Sequence, residues 1–471
     1  MAAPVTAGLK RVNTEDGSVS PPAVKRRQQS TTTNKAVANF FTPASKKPPN
    51  PVTWRIPVND TLIVGHYDAS SNLTKQASKP RDRENGKAAP TTPSETTNPN
   101  KKKKKTKIAA FDFDGTLVSS ASGLKFTKDP LDWKWWSPHV PSKLRALAAE
   151  GYTLVVVSNQ AGITLKRKKP KDPQPDARRL EVFKRKVEAA LADLDLELSV
   201  YAATERDGYR KPAVGMWNEF LGDRKLLEQE DVDLEGSVFV GDAGGRAASG
   251  SGGVGKDHSC CDRDFAANVG LKYYTPEEFF LGEDAKPFIR EFDPKLYVEN
   301  ENTSMDANSI IFTKSNPLDL VLFVGSPGAG KSTYYWNRLK PLGYERVNQD
   351  ILKSREKCLK EASKYLEQGV PVVVDNTNAD PDVRAHWINL ARNSNVPVRC
   401  ILFTAPAKLC EHNNAVRALN PLTMNPEGRG ILPQMAFSGF RQRYREPKMS
   451  EGFEDIARVE FQIVAIILGD Q

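Results

Sequence analysis

From residue 107 onward, short aliphatic runs alternate with longer amphipathic stretches, the pattern of parallel strands joined by crossover helices. Continuous apolar runs predict buried strands at Ile108–Phe111, Leu154–Val157 and Val238–Val240, and a second set at Leu320–Val324, Val370–Val374 and Arg399–Phe403. Between the sets, residues 283–316 lose the pattern and include ENENTSMDANS, which places a boundary near 305–315. Two α/β domains are therefore expected, over 107–305 and 306–471. Upstream, Trp54, Ile56 and Val58 alternate ahead of Leu62-Ile63-Val64, so one or two strands within residues 51–70 are expected to dock on the first domain. The rest of 1–106 is rich in Ser, Thr, Pro and Lys, with too few large apolar side chains to offset the entropy of ordering, and reads as a disordered tail and linker.

Charge sets that tail apart. Residues 1–106 hold 19 Lys and Arg against 7 Asp and Glu, while the remaining chain holds 49 against 51, so the net charge of +10 belongs to the tail. Such a tail suits nuclear import or loose contact with polyanions. Lys25-Arg26-Arg27 and Lys101–Lys105 are the two clusters that would carry an import signal, and a nuclear location is expected. In NKAVANFFTPASKKP, Val37, Phe40 and Phe41 form an apolar hook followed by lysines. The stretch Asn34–Phe41 resembles the peptide that binds sliding clamps, with Asn34 where that pattern has Gln and Val37 where it has a longer aliphatic side chain. Five cysteines without C-x-x-C spacing indicate neither a disulfide framework nor a zinc site. With no apolar run of membrane-spanning length, a soluble, intracellular monomer is expected.

The first candidate site begins at IAAFDFDGTL. Asp112 and Asp114 leave the end of a strand two residues apart, on the side opposite Phe111 and Phe113, and Gly115 permits the turn. Two carboxylates at the carboxyl edge of an α/β sheet can serve as nucleophile and proton shuttle around a magnesium ion. An Asp-x-Asp alone is also an ordinary turn. Its companions give it weight: Ser158 follows the strand in VVVSNQ, Lys211 lies in YRKP, and Asp242 follows a strand in VFVGDAGGR. Beside Asp242, RAASGSGGVGK (Arg246–Lys256) is a Gly/Ser-rich loop expected to be mobile. Trp133, Trp135 and Trp136 read first as a packed insertion and second as a surface for unpaired bases.

The second site is GSPGAGKST: Gly325, Ser326, Pro327, Gly328, Ala329, Gly330, Lys331, Ser332 and Thr333 directly follow an apolar strand, the setting in which G-x-x-x-x-G-K-S cradles a triphosphate. Main-chain N–H groups close on phosphate, Lys331 reaches the β/γ oxygens of ATP, and Ser332 can ligate Mg²⁺. Asp350, in YERVNQD, is placed to take a proton from an acceptor hydroxyl. Asp375, in VVVDNTN, stands where a second carboxylate supports the metal, and Arg417, in EHNNAVR, lies on a helix that can act as a lid over the phosphates. Arg384 is ambiguous between solvent and site, and Arg441, Arg443 and Arg445 read as a solvated or partner-facing cluster.

The first motif set is similar to the haloacid-dehalogenase-like, Rossmann-like phosphatases. That resemblance implies that Asp112 forms a phosphoaspartyl intermediate, Asp114 acts as acid and then base, and Ser158 and Lys211 hold the phosphoryl group. It also implies that Asp112, Asp242 and the main-chain carbonyl of Asp114 hold Mg²⁺. From Lys107 to about Val464 the chain resembles the eukaryotic polynucleotide 5′-kinase/3′-phosphatases, through AAFDFDGTL, SNQAGI, YRKPAVGMW, FVGDAGGR, TPEEFFLG, GSPGAGKST, VNQD, DNTNAD, EHNN and EGFEDI. The resemblance implies a DNA-end repair enzyme acting on 3′-phosphate and 5′-hydroxyl ends, with a ligase or repair scaffold as partner. Vertebrate members of this family begin with a forkhead-associated domain, for which residues 1–106 lack the strand pattern. RNA-end repair, a metabolic phosphatase/kinase fusion and a non-catalytic break-binding scaffold are the alternative readings.

Overall fold

The computed structural model describes residues 52–57, 61–69, 105–124, 127–165, 177–226, 231–247, 256–290, 292–297, 312–420 and 425–460. The clamp-like hook, Lys25-Arg26-Arg27, Lys101 to Lys104, the stretch 248–255 and residues 298–311 at the expected boundary lie outside the described residues.

The strands of the N-proximal part are β1 (Val52–Arg55), β2 (Leu62–Tyr67), β3 (Ile108–Phe111), β4 (Val118–Ser119), β5 (Lys134–Trp135), β6 (Thr153–Asn159), β7 (Leu198–Ala203), β8 (Val238–Val240) and β9 (Lys272–Tyr274). Seven of them form one sheet in the order β1-β2-β7-β6-β3-β8-β9. Strands β7, β6, β3, β8 and β9 run parallel, with Phe111 opposite Val156 on one side and Val240 on the other. Central β3 reads as an unbroken apolar run because both of its faces are covered. Ala109 and Phe111 pack with Val140, Leu144, Phe183 and Val187 from the helices His139–Ala149 and Ala177–Leu194. Ile108 and Ala110 pack with Met216, Phe220 and Phe265 from the helices on the opposite face.

Of the one or two strands expected within residues 51–70, two form and extend this sheet: β2 pairs antiparallel with β7 from Leu62 opposite Ala203 to Tyr67 opposite Leu198. Strand β1 then pairs antiparallel with β2. The three tryptophans are packed and not laid open. They lie against the core that includes Phe280, with Trp133 and Trp135 edge to face at 5.5 Å and Trp135 Nε1 donating to Asp193 at 2.9 Å.

A second sheet is wholly parallel, in the order β11-β12-β10-β13-β14, built from β10 (Leu320–Val324), β11 (Glu345–Val347), β12 (Val372–Val374), β13 (Val398–Phe403) and β14 (Ile456–Val459). Strand β12 starts two residues later than the apolar run suggested. Pro371 has no N–H to give to a ladder, although its carbonyl still accepts from Glu345 N at 2.9 Å. The ambiguous Arg384 is fully buried. It donates to Glu451 at 2.7 and 2.6 Å and to the carbonyls of Asn378, Ala379 and Arg445, tying the helix Pro381–Asn393 to the later chain. It is therefore a structural cation, with its donors already engaged.

Candidate active sites

In the first sheet, Asp112, Ser158 and Asp242 all lie at or just beyond the carboxyl ends of parallel strands: β3, β6 and β8. Asp112 is fixed by its own N–H, which donates to Val240 O at 2.8 Å. The turn that follows needs glycine, since Gly115 has φ +79° and a Cβ there would stand 2.4 Å from Asp242 Oδ2. Lys211 is carried in from the loop after β7. Asn159 holds it by both backbone groups, accepting from Lys211 N at 2.9 Å and donating to Lys211 O at 3.1 Å.

The buried Lys211 ammonium lies 2.7 Å from Asp112 Oδ1 and 2.7 Å from Asp262 Oδ1. Sequence reading missed Asp262, which enters from the first turn of the helix Cys261–Val269 and also accepts the Ala243 N–H at 3.0 Å. Asp112, Asp242 and Asp262 bring one ligand oxygen each within 4.8 Å of one another. Three converging carboxylates face one ammonium, and the electrostatics record it. Burial first, then mutual repulsion, pushes Asp112 and Asp242 well above the usual carboxylate range, against the pull of Lys211. Burial also depresses the Lys211 ammonium, but Asp112 and Asp262 outweigh it and leave the pKa raised. A hard divalent cation fits this donor set, because only oxygen ligands converge and their repulsion is what such an ion relieves. Burial pushes the neighbouring Cys260 and Cys261 thiols up to about 11 and about 12, so neither is a thiolate.

Asp114 departs from the alternation expected for it. Strand β3 ends at Phe111, so Asp112 and Asp114 lie in the following turn and their carboxylates part company. Asp114 is exposed, 2.8 Å from Lys186 Nζ and 2.7 Å from Gln160 Nε2, which also donates to Ser158 Oγ at 3.1 Å. Gln160 thus links Asp114 with Ser158. Arg210, beside Lys211, has a buried Nη1 without a hydrogen-bond partner, and burial lowers its pKa.

In the second sheet the loop Gly325–Ser332 follows central β10. Gly328 has φ +79°, and a Cβ on it would fall 2.1 Å from Cys410 O, so only glycine lets the helix Ala407–Leu419 approach. Ala329 and Ser326 are buried, Pro327 is half-buried, Gly330 takes φ +91° and Thr333 is exposed on the first helical turn. The buried Lys331 Nζ donates to Gly325 O at 2.9 Å and Ser326 O at 2.7 Å, and burial lowers its pKa to about 8. Ser332 Oγ donates to Asp375 Oδ2 at 2.8 Å, a hydroxyl and carboxylate pair suited to a divalent ion.

Arg346 on β11, another residue not anticipated, lies 2.6 Å from Asp375 and Glu427 and 3.2 Å from Ser332 Oγ. Asp350 stands apart, with its side chain 75% exposed in the short helix Gln349–Leu352 and Arg429 at 3.6 Å. Asn348 accepts from Asp350 N at 2.9 Å and so fixes the start of that helix. Arg417, on the helix Ala407–Leu419, has a buried Nε without a hydrogen-bond partner, and burial and Arg429 lower its pKa.

The family model described as polynucleotide kinase 3 phosphatase matches residues 107–280, and one described as an AAA domain matches residues 320–447. A bifunctional polynucleotide phosphatase/kinase of Schizosaccharomyces pombe is 39% identical over 363 residues, covering 77% of this chain and 81% of that protein. A putative bifunctional polynucleotide phosphatase/kinase of Acanthamoeba polyphaga mimivirus is 31% identical over 380 residues, covering 77% and 87%. The polynucleotide 3′-phosphatase ZDP of Arabidopsis thaliana is 33% identical over 186 residues, covering 38% of this chain and 25% of that one. With a family model over the residues of each site, and relatives 39% and 31% identical that are covered over 81% and 87% of their length, this chain belongs to the bifunctional polynucleotide phosphatase/kinase family.

Proposed function

We propose that the protein makes broken DNA strands ligatable, removing a 3′-phosphate at the first site and transferring the ATP γ-phosphate to a 5′-hydroxyl at the second. The observation that carries this reading is that one chain holds a buried lysine among converging carboxylates and a glycine-rich loop with its own buried lysine, each at the carboxyl ends of parallel strands in its own sheet. A strand break bearing a 3′-phosphate and a 5′-hydroxyl is a substrate that needs both operations. The basic tail supports a nuclear location and contact with a polyanion.

In the first site Asp112 attacks phosphorus, and the bond to the 3′-oxygen breaks as Asp114 supplies a proton to it. Water, deprotonated by Asp114, then attacks the aspartyl phosphate and frees inorganic phosphate and Asp112. Lys211 neutralises the transferring group and Ser158 donates a hydrogen bond to it. Asp112, Asp242 and Asp262, with the Asp114 carbonyl, would hold Mg²⁺, which supplies positive charge to the phosphoryl oxygens. In the second site the loop amides and Lys331 grip the β/γ phosphates, Asp350 takes the proton of the attacking 5′-hydroxyl, and Arg417 covers the developing charge. Ser332 and Asp375 would hold the ion that accompanies ATP.

The deciding assay uses labelled nicked duplex DNA carrying both blocked ends. Phosphate removal without ATP, and sealing by an added NAD⁺-dependent ligase only when ATP is also supplied with Mg²⁺, is the expected result. Equal turnover of mononucleosides, or a clear preference for RNA ends, would overturn the DNA reading. A second expectation concerns the metal: in nucleotide-free protein, millimolar Mg²⁺ should raise the midpoint of thermal unfolding by about 2–5 °C. Asp242→Asn should lose most of that rise while the metal-free variant remains at least as stable as wild type, because one member of a repelling carboxylate cluster has been neutralised. A variant that kept the full rise would show that the ion sits elsewhere.

A further inference from the structure

We propose that Trp336 is the stacking surface for the 5′-terminal base of the acceptor strand, an inference that rests on the kinase reading above. The phosphate loop divides the cleft between two walls. On one side β13 leads into the helix Ala407–Leu419, whose Cys410 carbonyl abuts Gly328 and whose Asn413 donates to Gly328 O at 3.2 Å. On the other side lie β12 and edge strand β11, which deliver Asp375, Arg346 and, just beyond, Asp350. The nucleophilic hydroxyl is received on this second wall.

Trp336 belongs to the same wall. Adjacent residues of the helical turn differ in burial: Tyr335 is 2% exposed and donates from its hydroxyl to Tyr344 O at 3.2 Å, whereas Trp336 is 48% exposed, with its ring packed against that of Tyr335 at 4.9 Å. An isolated exposed apolar side chain is unremarkable on a protein surface. What distinguishes this one is its neighbour. The Trp336 ring lies 5.9 Å from the guanidinium of Arg346, whose donors reach Ser332 Oγ and Asp375. A half-exposed indole, braced by Tyr335 and Arg346, is thus held one residue's breadth from Ser332 and Asp375. A nucleobase is the ligand chemistry such a face takes, since every base offers a π surface irrespective of sequence. Adenine of ATP is the competing source of that chemistry, but it would have to lie on the acceptor side of the loop.

Base-on-aromatic stacking of the usual strength corresponds to about a tenfold change in binding. Trp336→Ala should raise KM for a 5′-hydroxyl oligonucleotide by about tenfold, leave KM for ATP and the rate of 3′-phosphate release unchanged, and be largely rescued by Trp336→Phe. An acceptor whose first nucleotide is abasic should bind wild type and Trp336→Ala alike, as a double-mutant cycle requires when the partner has been removed. An unchanged acceptor KM, a shift confined to KM for ATP, or a full Trp336→Ala effect with the abasic acceptor would each overturn the assignment. If wild type itself fails to phosphorylate oligonucleotides, the kinase reading falls and this inference falls with it. Normal phosphorylation of oligonucleotides by both wild type and variant would sink the stacking role alone.

Discussion

Replacing Asp112 with asparagine is expected to slow 3′-phosphate release by about 10⁴-fold or more while 5′-phosphorylation proceeds at the wild-type rate. Asparagine keeps the shape of the buried side chain but cannot attack phosphorus, so the loss falls on bond formation and not on substrate binding. Folding is not threatened, because the substitution removes one of three crowded carboxylates and leaves Lys211 paired with Asp262 at 2.7 Å. Incubation with DNA labelled in its 3′-phosphate, followed by rapid acid quench, should trap label on wild-type protein and none on the variant. A loss below tenfold, or label retained on the variant, would show that another group is the nucleophile. Retained kinase activity shows that the loss is confined to the first site, since the phosphate loop belongs to a different sheet, and an unchanged thermal unfolding profile checks the folding of the first.

The second large effect is expected at Lys331. Lys331→Met should lower 5′-phosphorylation by about 10²–10³-fold, the usual cost of removing one fixed charge aimed at a transferring group, with phosphatase activity unaltered. Methionine occupies the same buried position and removes a desolvated ammonium but gives up its hydrogen bonds to Gly325 O and Ser326 O, so thermal stability should change little. The wild-type lysine also predicts a pH dependence. Its pKa is lowered to about 8 by burial, and the charged form is the one expected to bind ATP. Below pH about 8 the ammonium is present before binding; above it a proton must be taken up, so ATP affinity should fall as pH rises. Calorimetric titration across that range checks the sign, and the methionine variant should show no such dependence.

Sequence patterns made much of this architecture legible, for identifiable reasons. Strands β3, β8 and β10 match their apolar runs because each is covered on both faces and carries no polar position to blur its ends. The phosphate loop was equally plain, since its chemistry is local: glycines, lysine and serine sit within one turn. Residues that act through tertiary convergence were not legible. Asp262 lies in CCDRDF beside Asp264, and nothing in that stretch separates the aspartate facing Lys211 from the one facing Arg290. Only the packing of its helix against β8 and β9 makes the choice. Arg346 occupies an edge strand where an arginine ordinarily meets solvent, and it becomes part of the site because Asp375 arrives from the adjacent strand. Asp114 shows the opposite failure: an alternation rule applies only while the strand lasts, and β3 stops three residues short of it.

Strands β1 and β2 carry a practical consequence for how the catalytic fold is delimited. The family match begins at residue 107, yet all six residues of β7 are buried, with β2 hydrogen-bonded along its flank. A chain trimmed to the match would bare that flank, presenting a row of unmet amides and carbonyls beside Val200 and Tyr201, the kind of rim on which separate molecules zip together. Sound material for study must therefore start upstream of Val52, and loss of solubility after trimming at 107 would reflect a torn sheet edge, not a failed active site.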